Sequence, residues 1–193
     1  MSPLPASLIS EMCKGGVMKG TFDGNVKKHI NCDVKGKIIG HIFGNINGNM
    51  DGEIVGNIFG SISRDVNGKI RGNIMKSGSI TGNVNGDIIG NVFGHIARDI
   101  KGKFIGDCNG GTIGGDITGE FNGKLNRCKV MGSIKKGIME INLSQVLGGV
   151  CYKWSEATIY SSGNRINLNS HNKVMRQVTV CVISQVDEFI HSI

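Results

Sequence analysis

Residues 40–74 read GHIFGNINGNMDGEIVGNIFGSISRDVNGKIRGNI, and this stretch decides the fold. At every second position the chain alternates between glycine and an aliphatic residue, with Arg64 as the exception, and the pattern has a sixteen-residue period. A chain of this kind cannot bury its apolar residues within one repeat, so successive repeats must stack on one another. The period of two, carried mostly by β-branched residues, favours strands over helix. The stretch therefore predicts stacked, strand-forming coils.

The same register extends outward over six coils, the first of which begins at Gly24. We number the first glycine of each coil position 0, and we call the residues at one position of successive coils a row. Positions 2, 6, 10 and 14 are apolar in all six coils if Lys76, Ser77 and Gly110 are insertions beside corners. Glycine holds positions 0 and 12, and most of position 4, where the chain turns tight corners. The sequence thus predicts an all-β, single-stranded β-solenoid of about seven 16-residue coils, with its handedness and number of faces open.

Composition divides the chain into three parts. Residues 1–23 form an N-terminal lead with a partial coil, which is either a cap or a disordered tail. Residues 24–140 form the solenoid, which ends in a degenerate seventh coil. Residues 141–193 contain less glycine and more aromatic residues, and they predict a small β-rich C-terminal cap or assembly segment.

Within the C-terminal segment, Thr158–Tyr160 and Arg165–Leu168 flank a turn, an arrangement typical of a hairpin. Gln177–Ile183 predicts a strand, and Ser184 with Asp187 predicts a short closing helix.

The 193-residue chain carries a formal net charge of +7, with basic and acidic residues interleaved. This charge is compatible with binding to nucleic acid or to an anionic surface. The dispersed lysines instead favour a basic surface that only keeps the protein soluble. No run approaches the roughly 18 apolar residues of a transmembrane helix, and the N-terminus lacks the features of a secretory signal. We therefore expect a cytoplasmic protein.

The six cysteines show no C-x-x-C spacing, and the five histidines show no regular metal-ligand spacing. Cys32 and Cys108 fall at core-facing positions, where free cysteine behaves as a small hydrophobic residue. The sequence therefore predicts neither disulfides nor a metal site. It contains no phosphate-binding loop, and we expect no cofactor, no catalytic residue and no enzymatic activity.

Odd-numbered positions point outward and are polar, except at positions 15 and 3. These two positions flank the glycine corner at position 0, so their apolar residues form one external band, which we call the apolar stripe. A band of this length is rarely left exposed to water, so either the C-terminal segment or another subunit covers it. The apolar stripe consists of Ile39, Phe43, Val55, Phe59, Met75, Ile89, Phe93 and Ile105.

Two of the polar rows carry further predictions. Asparagines that recur at position 1 predict hydrogen-bonded ladders along the rod. Lys37, Lys69 and Lys103 share position 13 and form a candidate polyanion-binding face.

The run GNIFGSISRDVNGKIRGNI at residues 56–74, with its stacked G-x-[IV]-x units, resembles the bactofilins, and the resemblance extends over residues 16–138. It implies a cytoskeletal β-solenoid that polymerises end to end without nucleotide. The chain departs from that family in its stricter four-residue regularity and its β-rich C-terminal segment. We expect a structural protein that self-assembles, as a filament or an oligomeric scaffold, through its solenoid ends and the apolar stripe. The alternative is a surface or viral/phage-fibre module that binds glycan or polyanion through its Asn and Lys faces.

Overall fold

The structure, a computed structural model, describes residues 9, 11, 13–142, 144–146, 158–161, 164–167 and 178–179. Apart from a short helical turn around Ile9 and Glu11, the regular structure of this part is β. The strands are β1 (Val17–Asp23), β2 (Asp33–Ile39), β3 (Met50–Val55), β4 (Ser61–Ile62), β5 (Lys69–Arg71), β6 (Ser79–Ile80), β7 (Ile88–Ile89), β8 (His95–Ile96), β9 (Phe104–Ile105), β10 (Cys108–Asn109), β11 (Thr112–Ile113), β12 (Ile117–Asn126), β13 (Lys129–Val130), β14 (Ile134–Asn142), β15 (Gln145–Val146), β16 (Thr158–Ser161), β17 (Asn164–Asn167) and β18 (Val178–Thr179).

Successive coils stack as parallel strands in the predicted register of one period per coil. Val34 of β2 pairs with Met50 of β3, and Ile38 pairs with Ile54. The long sheet runs β1-β2-β3-β5-β7-β9-β12-β14-β16-β17, and the second sheet runs β18-β15-β13-β11-β8-β6-β4. Single parallel bridges join the remaining faces from coil to coil. The prediction of a β-solenoid of about seven coils is confirmed.

The predicted insertions lie at corners and leave the stacked faces undisturbed. Ile62 pairs with Ile80 rather than with Gly78, because the fourth coil contains the extra residues Lys76 and Ser77. In the same way, Ile96 pairs with Ile113 rather than with Thr112, because the sixth coil contains the extra Gly110.

The core is a single column of aliphatic side chains inside the coils. All twenty-four residues at positions 2, 6, 10 and 14 of the six coils have a relative exposure of 0%. Phe104 and Phe121 end the position-14 row with ring centroids 4.9 Å apart. Because each side chain contacts its equivalents in the coils above and below, the coils depend on one another for burial.

Glycine is required at the corners for two reasons. At position 0, Gly40 and Gly56 have φ of +151° and +154°, a conformation that residues with a Cβ rarely adopt. At position 12, a Cβ on Gly68 would overlap the backbone carbonyl of Gly52 in the preceding coil. The close stacking of backbones therefore selects glycine even where φ does not.

The N-terminal end of the solenoid is covered by the residues that precede it. Strand β1 pairs with β2 as a partial coil, and it buries Met18 and Phe22 at core positions. Ile9 is only 4% exposed and joins the same core cluster.

The C-terminal end is continued by later strands. The seventh coil is irregular, because the pairing of β12 with β14 shifts its register between Ile117 and Glu120. Beyond it, β14 pairs with β16, and β16 and β17 form the predicted hairpin. Strand β18, the described part of predicted strand Gln177–Ile183, pairs antiparallel with β15. The predicted helix at residues 184–187 lies outside the described residues.

The prediction that the chain has no disulfides is wrong, because four cysteines form two disulfides. Cys13 is bonded to Cys32, and Cys108 is bonded to Cys128, with Cα atoms 5.7 and 5.9 Å apart. The physical reason is the stacking itself. Sequence separations of 19 and 20 residues exceed one coil by a few residues, so each pair meets across neighbouring levels of the rod.

Candidate functional site

The apolar stripe lies on the two sides of the glycine corner at position 0, with row 15 before the corner and row 3 after it. Phe43 and Ile105 are 45% and 43% exposed, and the other six stripe residues are half-buried. The rings of Phe43 and Phe59 stack at 4.8 Å with an interplanar angle of 13°, and His41 meets both edge-on at 6.0 Å. Stacking from coil to coil thus turns side chains that are one period apart in sequence into one continuous apolar surface.

One charged residue interrupts the stripe. Arg71 occupies position 15 between Val55 and Ile89, where the neighbouring coils carry aliphatic residues. Its Nε lies 2.7 Å from Oε1 of Glu53, which holds the guanidinium toward row 13. The stripe is therefore apolar on both sides of a single, ion-paired arginine.

A groove opens at the edge of the stripe, and the sequence reasoning missed it. Its volume is about 460 Å³, and it is lined by Met75, Lys76, Phe93, Asn109 and Gly110. The inserted residues Lys76, Ser77 and Gly110 of the fourth and sixth coils are exposed and form bulges on the surface, whereas the fifth coil between them has no insertion. The groove is the gap between these two bulges, with Phe93 of the fifth coil in it. The signal was present in the sequence, since insertions two coils apart must bracket an unmodified coil.

Row 13, which contains the candidate polyanion-binding lysines, is a ladder of alternating charge. Distances between Nζ and carboxylate oxygen are 2.8 Å for Lys37–Glu53, 3.8 Å for Lys69–Asp87 and 3.3 Å for Lys103–Glu120. Hydrogen bonds from Lys37 and then from Arg71 hold the pKa of Glu53 below its usual range. Each of the three lysines is therefore paired with an acid of the next coil rather than presented as an isolated charge.

The predicted polar ladder of row 1 is present, and rows 5 and 9 form further ladders, so that side chains of all three rows bond to the backbone. In rows 1 and 9, a side-chain acceptor of one coil receives the backbone N–H at the same position of the next coil. The distance is 2.9 Å from the Asn73 N–H to Asn57 Oδ1, and 2.7 Å from the Asn83 N–H to Asp65 Oδ1. The acceptors are Asn25, His41, Asn57, Asn73, Asn91 and Asp107 in row 1, and Asp33, Asn49, Asp65, Asn83, Asp99 and Asp116 in row 9.

These ladders employ side chains that could otherwise serve as ligands. The Nδ1 atoms of His29 and His41 accept backbone N–H groups at 3.0 and 3.1 Å. Within the described part of the chain, no group of three or more His, Cys, Asp or Glu residues is placed to hold a metal ion. The same described residues contain no helix that is long and apolar enough to cross a membrane.

The fold places the chain among β-solenoid proteins, a class compatible with a structural or a binding role. No protein-family model matches the chain, and no curated protein and no solved structure is significantly similar to it.

Proposed function

We propose that this is a non-enzymatic structural protein whose solenoids associate side by side through the apolar stripe into a homo-oligomeric scaffold. The observation that carries the proposal is the continuous outward band of aliphatic and aromatic side chains, with Phe43 and Ile105 nearly half exposed. Exposed apolar patches of this kind mark interaction surfaces.

The covered ends favour the stripe over end-to-end polymerisation of the bactofilin kind. Ile9 packs on the first coils, and the antiparallel β15–β18 pair breaks the parallel stacking at the other end. A filament built by adding parallel coils end to end needs open edges that continue the same register.

The alternative of polyanion or glycan binding gains no specific support. Its three lysines alternate with three acids along row 13, so this part of the surface has no excess positive charge to attract a polyanion. The cytoplasmic location stays a prediction, and the two disulfides are an argument for an oxidising compartment instead.

Sedimentation velocity over a range of protein concentrations tests the proposal. We expect the wild type to sediment faster as its concentration rises, and Ile105→Lys to remain monomeric because a charge then lies inside the contact. Met131→Lys is the matched control, since Met131 is also 43% exposed but lies at position 7, away from the stripe. A wild type that is monomeric throughout, or equal effects of the two substitutions, contradicts the proposal.

A further inference from the structure

We infer that the apolar stripe is covered by a second copy of this chain that runs antiparallel, so that Phe43 of each copy enters the groove at Phe93 of the other. The inference rests on the proposed self-association and adds its geometry. It draws on three separate features: the order of residues along the stripe, the positions of the insertions, and the chemistry of the groove.

The order of residues along the stripe is nearly the same in both directions. Position 15 is apolar in two coils on either side of Arg71, and the row is bounded by Asp23 at one end and Asn122 at the other. Position 3 is likewise apolar in four successive coils, bounded by Lys27 and Asn109. From the N-terminal end, row 15 reads Ile39, Val55, Arg71, Ile89 and Ile105, and row 3 reads Phe43, Phe59, Met75 and Phe93.

A two-fold axis that is perpendicular to the rods at the level of Arg71 places similar residues of this nearly symmetric order opposite one another. Such an axis makes the rods antiparallel and lets each row face its own copy. Phe43 then lies opposite Phe93, Phe59 opposite Met75, and Ile39 opposite Ile105. The two Arg71 side chains meet at the axis, where each already has Glu53 of its own chain as an ion-pair partner at 2.7 Å.

The bulges fit the same arrangement. The bulged fourth coil faces the third coil of the partner, and the bulged sixth coil faces the first, neither of which has an insertion. The fifth coil, which holds the groove, faces the second coil, which presents Phe43. A parallel arrangement would instead place row 3 against row 15, which leaves the groove opposite aliphatic side chains and without Phe43.

The groove has the size and the chemistry to receive a phenyl ring. Its volume of about 460 Å³ exceeds the roughly 150 Å³ that suffices for benzene in an engineered cavity. Phe93 offers an aromatic surface, Met75 a thioether and Lys76 a cation, and all three make favourable contacts with an aromatic ring. Phe43 is the most exposed aromatic side chain of the stripe.

The contact is small, so the association is reversible. At strand geometry the four residue steps from row 15 to row 3 span at most about 13 Å, and four coil spacings span about 19 Å, so the area of the stripe is at most about 250 Å². Stable interfaces usually bury about 800 Å² per partner. We therefore expect a dimer whose population depends strongly on protein concentration.

Photo-crosslinking tests the geometry directly. A Phe43→p-benzoylphenylalanine variant is mixed in light and heavy isotopic forms, irradiated at a dimeric concentration and digested for mass spectrometry. We expect light-to-heavy crosslinks from position 43 to Met75 and Phe93. Crosslinks to Ile39 or Val55 instead would overturn the antiparallel geometry while leaving self-association intact. A wild type that never dimerises would overturn the proposed function together with this inference.

Complementary variants provide a second measurement. Phe43→Lys and Phe93→Glu should each be monomeric alone, and each must first match the circular dichroism spectrum of the wild type. Mixed in equal amounts, they should associate about tenfold more tightly than either alone. One contact of the heterodimer is then native, and the other joins the introduced lysine to the introduced glutamate. If both variants fold but their affinity does not increase on mixing, the proposed pairing is contradicted. If either variant fails to fold, the crosslinking experiment tests the pairing instead.

Discussion

The hydrogen bonds of the row 9 ladder should contribute measurably to the free energy of unfolding of the solenoid. The Oδ1 of Asp65 accepts the backbone N–H of Asn83 at 2.7 Å, and both residues are half-buried. Asp65→Ala removes the acceptor and leaves that N–H without it. An unsatisfied, partly buried backbone donor costs about 1–2 kcal/mol, which lowers the midpoint of urea unfolding by about 0.5–1 M at a slope of about 2 kcal/mol per M.

Two further variants isolate the cause. Asp65→Asn keeps an acceptor oxygen, as Asn49 does in the same row, so we expect it to stay within about 0.5 kcal/mol of the wild type. Asn85→Ala removes an exposed bond of 2.6 Å from Asn85 Nδ2 to Asn67 Oδ1 that involves no backbone group, and it should also have little effect. Because row 9 lies half a turn from the apolar stripe, self-association does not confound the comparison. The reasoning fails if Asp65→Ala and Asn85→Ala shift the midpoint equally, or if Asp65→Asn costs as much as Asp65→Ala.

Four other predictions follow from the stacking. Gly68→Ala places a Cβ against the carbonyl of the preceding coil and should lower the melting temperature sharply. Gly15→Ala should not, because a Cβ there meets open space. Similar melting curves for the two variants would contradict this. The described residues include four of the six cysteines, and all four are in disulfides, so a thiol assay in denaturant should detect at most two free thiols before reduction and six after it. Cys108→Ala combined with Cys128→Ala should cost about 3 kcal/mol in urea unfolding, because the loop that the disulfide closes is opened; an unchanged urea midpoint would refute this. The pKa of Glu53 is lowered in the folded state, so its ion pairs stabilise the fold at pH values above the ordinary carboxyl pKa. This stabilisation is lost as the pH falls through the lowered pKa. Glu53→Gln should therefore destabilise the protein at neutral pH, and the difference from wild type in thermal melts should vanish in acid; a constant difference would count against the ion pairs.

The solenoid and its core could be predicted from the sequence because the repeat constrains every coil in the same way. Once the aliphatic residues were aligned, the insertion at Gly110 and the corner at Gly40 followed from their spacing, and the structure has both. The disulfide of Cys13 with Cys32 was missed because contacts were sought within local motifs. In a stacked fold, the relevant spacing is one coil plus the step along the next face.

The groove beside Phe93 was missed for a related reason. An insertion considered alone predicts only that extra residues are tolerated where the chain turns. The groove depends on two insertions considered together, with the gap between them as the feature of interest. The exposure of individual stripe residues also depends on how neighbouring rings stack, as Phe43 does on Phe59, and the sequence pattern does not specify this.

The two disulfides have a consequence for how the rod resists unravelling. A linear array held together by contacts between nearest neighbours opens from its ends, since a terminal coil has only one neighbour to lose. Cys13–Cys32 ties the lead to the first coil, and Cys108–Cys128 ties the sixth coil to the seventh. The first link stands at the N-terminal end, where fraying starts, and the second lies just inside the strands that continue the C-terminal end. The coils between the two links are held by burial and hydrogen bonds from both sides. In a reducing solution, the rod should shorten inward from both ends before its middle melts.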